Sequence, residues 1–87
     1  MIKNGKILIA DDERSSREAL YELLIAEYDV TIAEDGLRAV NLIKKKDFDV
    51  VLSDLKMPGA DGMQVLEALK EKNSQSKCII LTAYGSI

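Results

Sequence analysis

Short apolar runs of strand length alternate along this chain with stretches of helical period, and that alternation restricts the fold more than any other feature. It is the pattern of a parallel sheet built from strand–helix units. The first run, Lys6-Ile7-Leu8-Ile9-Ala10, has no polar alternation, as expected of a strand covered on both faces. Residues 13–27 read as the first helix, with Leu20, Leu23, Leu24 and Glu27 along one face, Ala19 beside them, and charge on the other side. Asp29-Val30-Thr31-Ile32-Ala33 alternates polar with apolar and suits a strand at a sheet edge. Asp35 is placed to cap a helix over 37–46 that turns Val40 and Ile43 inward and ends on Lys44-Lys45-Lys46, where the helix dipole favours cations.

A third strand over 48–53 delivers Asp54 to its carboxyl end, and a loop over 55–60 turns at Pro58-Gly59. Asp61 and Gln64 have capping-box spacing for a third helix, whose inner face is assigned to Met63, Leu66 and Leu69 and whose stop is assigned to Asn73. A fourth strand over 77–82 follows. No internal repeat is visible.

Composition narrows the chemistry. With 87 residues, 47% hydrophobic and 31% charged, the chain is expected to form one folded domain over 1–87. A net charge of −3 offers no field for displacing counterions from phosphates, so no direct nucleic-acid partner is expected. No apolar run is long enough for a signal peptide or a membrane span, and a lone Cys78, read as a small core residue, makes no internal disulfide; a cytoplasmic location and no membrane partner are expected. Histidine is absent, which removes the usual general base and the commonest metal ligand. Chemistry must use carboxylates.

The carboxylates fall where a ligand would bind. Asp11 and Asp12 follow the first strand, Asp54 follows the third, and Thr82 closes the fourth, all at carboxyl ends, where open parallel sheets form their ligand crevice. Taken singly, Asp-Asp is an ordinary helix cap, Asp54 an ordinary turn residue, Thr82 an ordinary strand residue, and Met57 and Met63 ordinary packing. Three carboxylates together repel one another unless a cation joins them. Hard oxygen ligands point to Mg²⁺ or Mn²⁺, held by one or two carboxylates, with another free to act as nucleophile.

These residues lie in stretches that resemble the receiver domain of two-component response regulators: Ile7-Leu8-Ile9-Ala10-Asp11-Asp12-Glu13, Asp35-Gly36, 49–62 with its Asp54-Leu55-Lys56-Met57-Pro58 core and Asp61-Gly62, and Ile79-Ile80-Leu81-Thr82-Ala83-Tyr84-Gly85. The pattern is most similar to receivers of the nitrogen-regulator class. The resemblance implies an α/β, flavodoxin-like, doubly wound parallel sheet. It implies that Asp54 is the phosphoacceptor, taking a phosphoryl group from a sensor histidine kinase. Asp11, Asp12, Asp54 and the backbone carbonyl of Lys56 would hold Mg²⁺, and Thr82 would hydrogen-bond the phosphoryl group and act as a switch. The chain would then be a signalling module rather than an enzyme, controlling an output domain, in the first instance for transcription.

Measured against that family, the chain is expected to be C-terminally truncated, with four strands and three helices and without a fourth helix, fifth strand or fifth helix. The lysine that ends the fifth strand is among the missing parts, so phosphotransfer is expected to be impaired. The exposed fourth strand and an uncovered sheet face, including part of the Leu20, Leu23 and Leu24 stripe, would favour a homo-oligomer. The alternative function is a non-signalling receiver fragment whose main behaviour is self-association or complementation. An aspartate-nucleophile phosphatase would want an acid where Lys56 stands, and a dinucleotide binder a glycine-rich turn where the chain reads Asp11-Asp12-Glu13.

Overall fold

A computed structural model describes residues 4–54, 62–72 and 77–81. The elements follow the expected alternation: β1 (Lys6–Ala10), α1 (Arg14–Leu24), β2 (Asp29–Ala33), α2 (Gly36–Lys45), β3 (Val50–Asp54), α3 (Gly62–Glu71) and β4 (Lys77–Leu81). All strand pairs are parallel and the order is β2-β1-β3-β4. The chain leaves β1 for β2 on one side and returns to β3 on the other, so the order in which strands are added reverses between β1 and β3, where α/β sheets open a crevice at their carboxyl ends. Ala10 pairs with Ala33 on one side and Ser53 on the other, bringing the residues after β1 level with the end of β3.

Strand alternation sends Leu8 and Ala10 to the face shared with Ala39, Leu42 and Ile43 of α2 and Val65, Ala68 and Leu69 of α3. Phe48 and Val51 complete this core. Ile7 and Ile9, also buried, point to the opposite face, against which α1 packs from β1 to β2. Helices on both faces explain why β1 reads as an unbroken apolar run. Asp35 caps α2 as expected, its Oδ1 accepting from the Arg38 N–H at 2.8 Å. Ile43 is buried and Val40 packs against the core, also as expected.

Two helical faces differ from the sequence expectation. In α1 the inward line is Arg17, Leu20 and Leu24, half-buried at three- and four-residue spacing, whereas Leu23 is 75% exposed and Ala19 is exposed. The helix also ends earlier than 27: beyond Leu24 the chain tightens into a turn in which the Glu27 N–H bonds the Leu24 carbonyl three residues back, and Glu27 lies exposed beyond the helix. In α3 the buried line is Val65, Ala68 and Leu69, with Leu66 half-buried at its margin and Met63 53% exposed. The every-third-residue series 63, 66, 69 drifts around a helix, while 65, 68, 69 keeps to one face. Asp54 is the last residue of β3 rather than the first after it. Lys56, Pro58, Gly59, Asp61, Asn73 and Thr82 lie outside the described residues.

Polar groups lock the end of the sheet opposite the crevice. Asp49 accepts from the Lys6 N–H through Oδ2 at 2.8 Å, donates its own N–H to the Lys6 carbonyl at 2.8 Å, and takes the Lys77 N–H on its carbonyl at 3.0 Å. One residue thereby ties the starts of β1, β3 and β4. Gly5 permits this approach, since a Cβ there would stand 3.1 Å from Asp49 Oδ2.

Candidate cation site at the carboxyl end of the sheet

The turn leaving β1 is held by its own first residue. The Asp11 N–H donates to the Ala33 carbonyl of β2 at 3.2 Å, and Asp11 Oδ1 accepts from the Glu13 N–H at 2.9 Å, closing an Asx turn. Helix α1 then starts from Glu13, whose side chain makes no capping bond to the backbone. Neither Asp11 nor Asp12 stands at the N-cap, so the ordinary reading of Asp-Asp as a helix cap does not account for them.

Strand β3 brings the third carboxylate. Asp54 ends the strand half-buried, next to the fully buried Ser53, whose Oγ donates to the Asp54 carbonyl at 3.0 Å. Asp11, at 8% exposure, Asp12, exposed, and Asp54 each present a carboxylate oxygen, and these three oxygens lie within 4.8 Å of one another. The juxtaposition expected from strand order is therefore present for these three. Lys56 and Thr82, the other residues assigned to the site, fall outside the described residues.

Electrostatics at the cluster are unfavourable without a cation. Burial pushes the Asp11 carboxyl above the usual carboxylate range, and the charges of Asp54, Asp12 and Glu13 push it the same way, against the Glu13 N–H bond that stabilises its ionised form. The donor set is entirely hard oxygen and the span suits a hydrated divalent ion of Mg²⁺ type, which keeps several waters and takes few carboxylates. The residues present fit such an ion.

Two supporting residues were not singled out from the sequence. Ser53 reads there only as the last residue of the third strand, and Arg17 only as one residue of the first helix. Its position on the α1 line 17, 20, 24 was the signal that it faces inward, and its Nη1 donates to the Asp11 carbonyl at 3.0 Å.

The family profile described as the response regulator receiver domain matches residues 7–87. The chain is 40% identical over 85 residues to the sporulation initiation phosphotransferase F of Bacillus subtilis, covering 97% of this chain and 68% of that protein. It is 38% identical over 82 residues to the transcriptional regulatory protein ZraR of Klebsiella oxytoca, covering 93% of this chain but 18% of that protein. Among solved structures, the response regulator TrrA of Thermotoga maritima, crystallised in complex with Mg²⁺ and BeF, superposes with a TM-score of 0.83 at 38% identity, covering 95% of this chain and 71% of that one.

Proposed function

The chain belongs to the response regulator receiver domain family, and from that premise we propose that it is a phosphoacceptor module of a two-component system in which Asp54 takes a phosphoryl group from a sensor histidine kinase. A carboxylate oxygen of Asp54 forms the new P–O bond as the P–N bond of the kinase phosphohistidine breaks, and the leaving imidazole recovers a proton from solvent. The observation that carries this reading is the meeting of Asp11, Asp12 and Asp54 carboxylate oxygens within 4.8 Å at the reversal point of the sheet.

Asp11 and Asp12, with Asp54 and the Lys56 carbonyl, would hold Mg²⁺. Bound there, the ion neutralises charge that develops on the transferring phosphoryl oxygens, which is the main demand of phosphoryl transfer. Asp54 supplies the nucleophile, Asp11 and Asp12 keep an anionic cradle open beside it, and Thr82 would donate to a phosphoryl oxygen and report its arrival. Residues 1–87 act as one domain in this reading. The output domain it would regulate, and a role in transcription, are supported by the ZraR likeness, of which this chain spans only the receiver-sized part. A cytoplasmic site of action accords with that role, and among the described residues no helix is long and apolar enough to cross a membrane.

Intact-mass analysis after incubation with phosphoramidate and Mg²⁺ tests the assignment. The expected product is slow, substoichiometric gain of one phosphoryl group, mapped to Asp54 and absent from Asp54→Asn. A phosphoryl group on any other residue, or an adduct that survives Asp54→Asn, would refute it.

A further inference from the structure

The guanidinium of Arg17 lies beside the acidic cluster yet bonds none of its carboxylates. Its Nη1 donates to the backbone carbonyl of Asp11 at 3.0 Å, and its Nε is buried with no hydrogen-bond partner among the described residues. A buried donor left unpaired costs stability, so the placement calls for an explanation beyond packing. The carbonyl it holds supplies one. The Asp11 carbonyl and the Asp12 N–H belong to a single planar peptide unit, so fixing that oxygen fixes the direction in which Asp12 leaves the turn. Asp11 itself is already anchored, by its N–H to the Ala33 carbonyl and its Oδ1 to the Glu13 N–H. Asp12 is exposed, and the peptide plane before it is the nearest point at which the fold can control where its carboxylate points.

We propose that Arg17 is a positioning residue for the cation site, acting through the Asp11–Asp12 peptide plane to hold the Asp12 carboxylate within reach of those of Asp11 and Asp54. The inference rests on the cation-site reading above and adds to it a residue that touches no ligand. Groups that orient metal ligands from behind typically change affinity by about 10- to 100-fold when removed. Because the unpaired Nε disappears with the guanidinium, affinity and stability should separate.

The test is Mn²⁺ binding to the 87-residue chain, followed by loss of the free-ion electron paramagnetic resonance signal, alongside thermal unfolding in EDTA. Arg17→Met, which keeps an apolar stem, is expected to bind Mn²⁺ about tenfold more weakly while its midpoint in EDTA stays level or rises. Arg17→Lys, still able to donate to the carbonyl, is expected to recover part of the affinity. Affinity within about twofold of wild type in Arg17→Met, or a fall of the EDTA midpoint shared by both variants, would overturn the proposal. Asp12→Asn separates the two levels: binding by wild type that Asp12→Asn abolishes upholds the cation site, and the two Arg17 variants then decide the positioning role. Absence of binding in wild type defeats the site reading and this inference together.

Discussion

The Lys72 ammonium donates to the Ile43 carbonyl at 2.6 Å, joining the residue that follows α3 to the last turn of α2. It also reaches the Lys46 carbonyl at 2.5 Å and Asp47 Oδ1 at 3.0 Å, so all three of its N–H groups are used. The Ile43 carbonyl is one of the four that a helix leaves unbonded at its C-terminus, and a cation there also meets the negative end of the helix dipole. Lys72 thus fastens the two helices that share one face of the sheet. Since Asp47 is almost fully exposed, the two carbonyl bonds carry most of the effect.

Lys72→Met keeps the stem and removes these bonds. The expected loss is about 1–2 kcal/mol, with the unfolding midpoint lowered by roughly 4–8 °C per kcal/mol for a domain of this size. Asp47→Ala should change the midpoint far less. Equal losses in the two variants, measured by thermal unfolding, would show that the ion pair rather than the carbonyl bonds matters.

At the other end of the sheet, Asp49→Asn can still accept from the Lys6 N–H, whereas Asp49→Ala cannot. The alanine variant is expected to lose about 1 kcal/mol more than the asparagine variant in urea unfolding. No difference between them would mean that the backbone bonds of Asp49 alone join the strands.

Stability should depend on pH through Asp11. Its folded carboxyl is raised above its unfolded range by burial, then by its acidic neighbours, so its favourable contribution is full below the unfolded range and is lost as pH rises through the folded one. Ionised Asp11 therefore strains the ion-free fold near neutrality. Asp11→Asn, which keeps an acceptor for the Glu13 N–H, should raise the midpoint in EDTA near pH 7, with the gain shrinking as pH falls into the usual carboxylate range. In millimolar Mg²⁺ the wild type should recover the difference. A lower midpoint for Asp11→Asn in EDTA at neutral pH contradicts this.

Much of this architecture was legible in the residues. The unbroken Ile7-Leu8-Ile9 run and the Asp35 cap act locally, one through two-sided burial and the other through a bond within four residues, and both were readable. The meeting of Asp11, Asp12 and Asp54 followed from strand order, because residues at carboxyl ends of adjacent strands converge. What escaped was set by rotation about a helix axis. Leu23 and Met63 look like core residues by chemistry, but a shift of one position moves a side chain by about 100°. Asp49 and Lys72 bind backbone atoms of distant segments, a use of charge that leaves no pattern in the residues around them, whereas Arg17 was legible only through its place on the inward line 17, 20, 24.

The sheet edge makes a further prediction. Among the described residues β4 pairs with β3 alone, and Leu23 on α1 is 75% exposed. A parallel strand at a sheet edge invites pairing with another copy. Sedimentation across a concentration series should show the 87-residue chain shifting from monomer to dimer in the high micromolar range. A single monomeric species throughout, with cooperative unfolding, would exclude self-association.

On the proposed function, Asp11, Asp12 and Asp54 form one Mg²⁺-binding cradle around a phosphoacceptor, and a Mg²⁺ titration followed by backbone amide chemical shifts tests this without any intermediate step. Saturable changes are expected at millimolar Mg²⁺, concentrated in residues 11–13 and at Asp54, and lost in Asp12→Asn. Shifts that do not saturate, or that centre on the exposed acids of α1 and leave Asp54 unmoved, would contradict it.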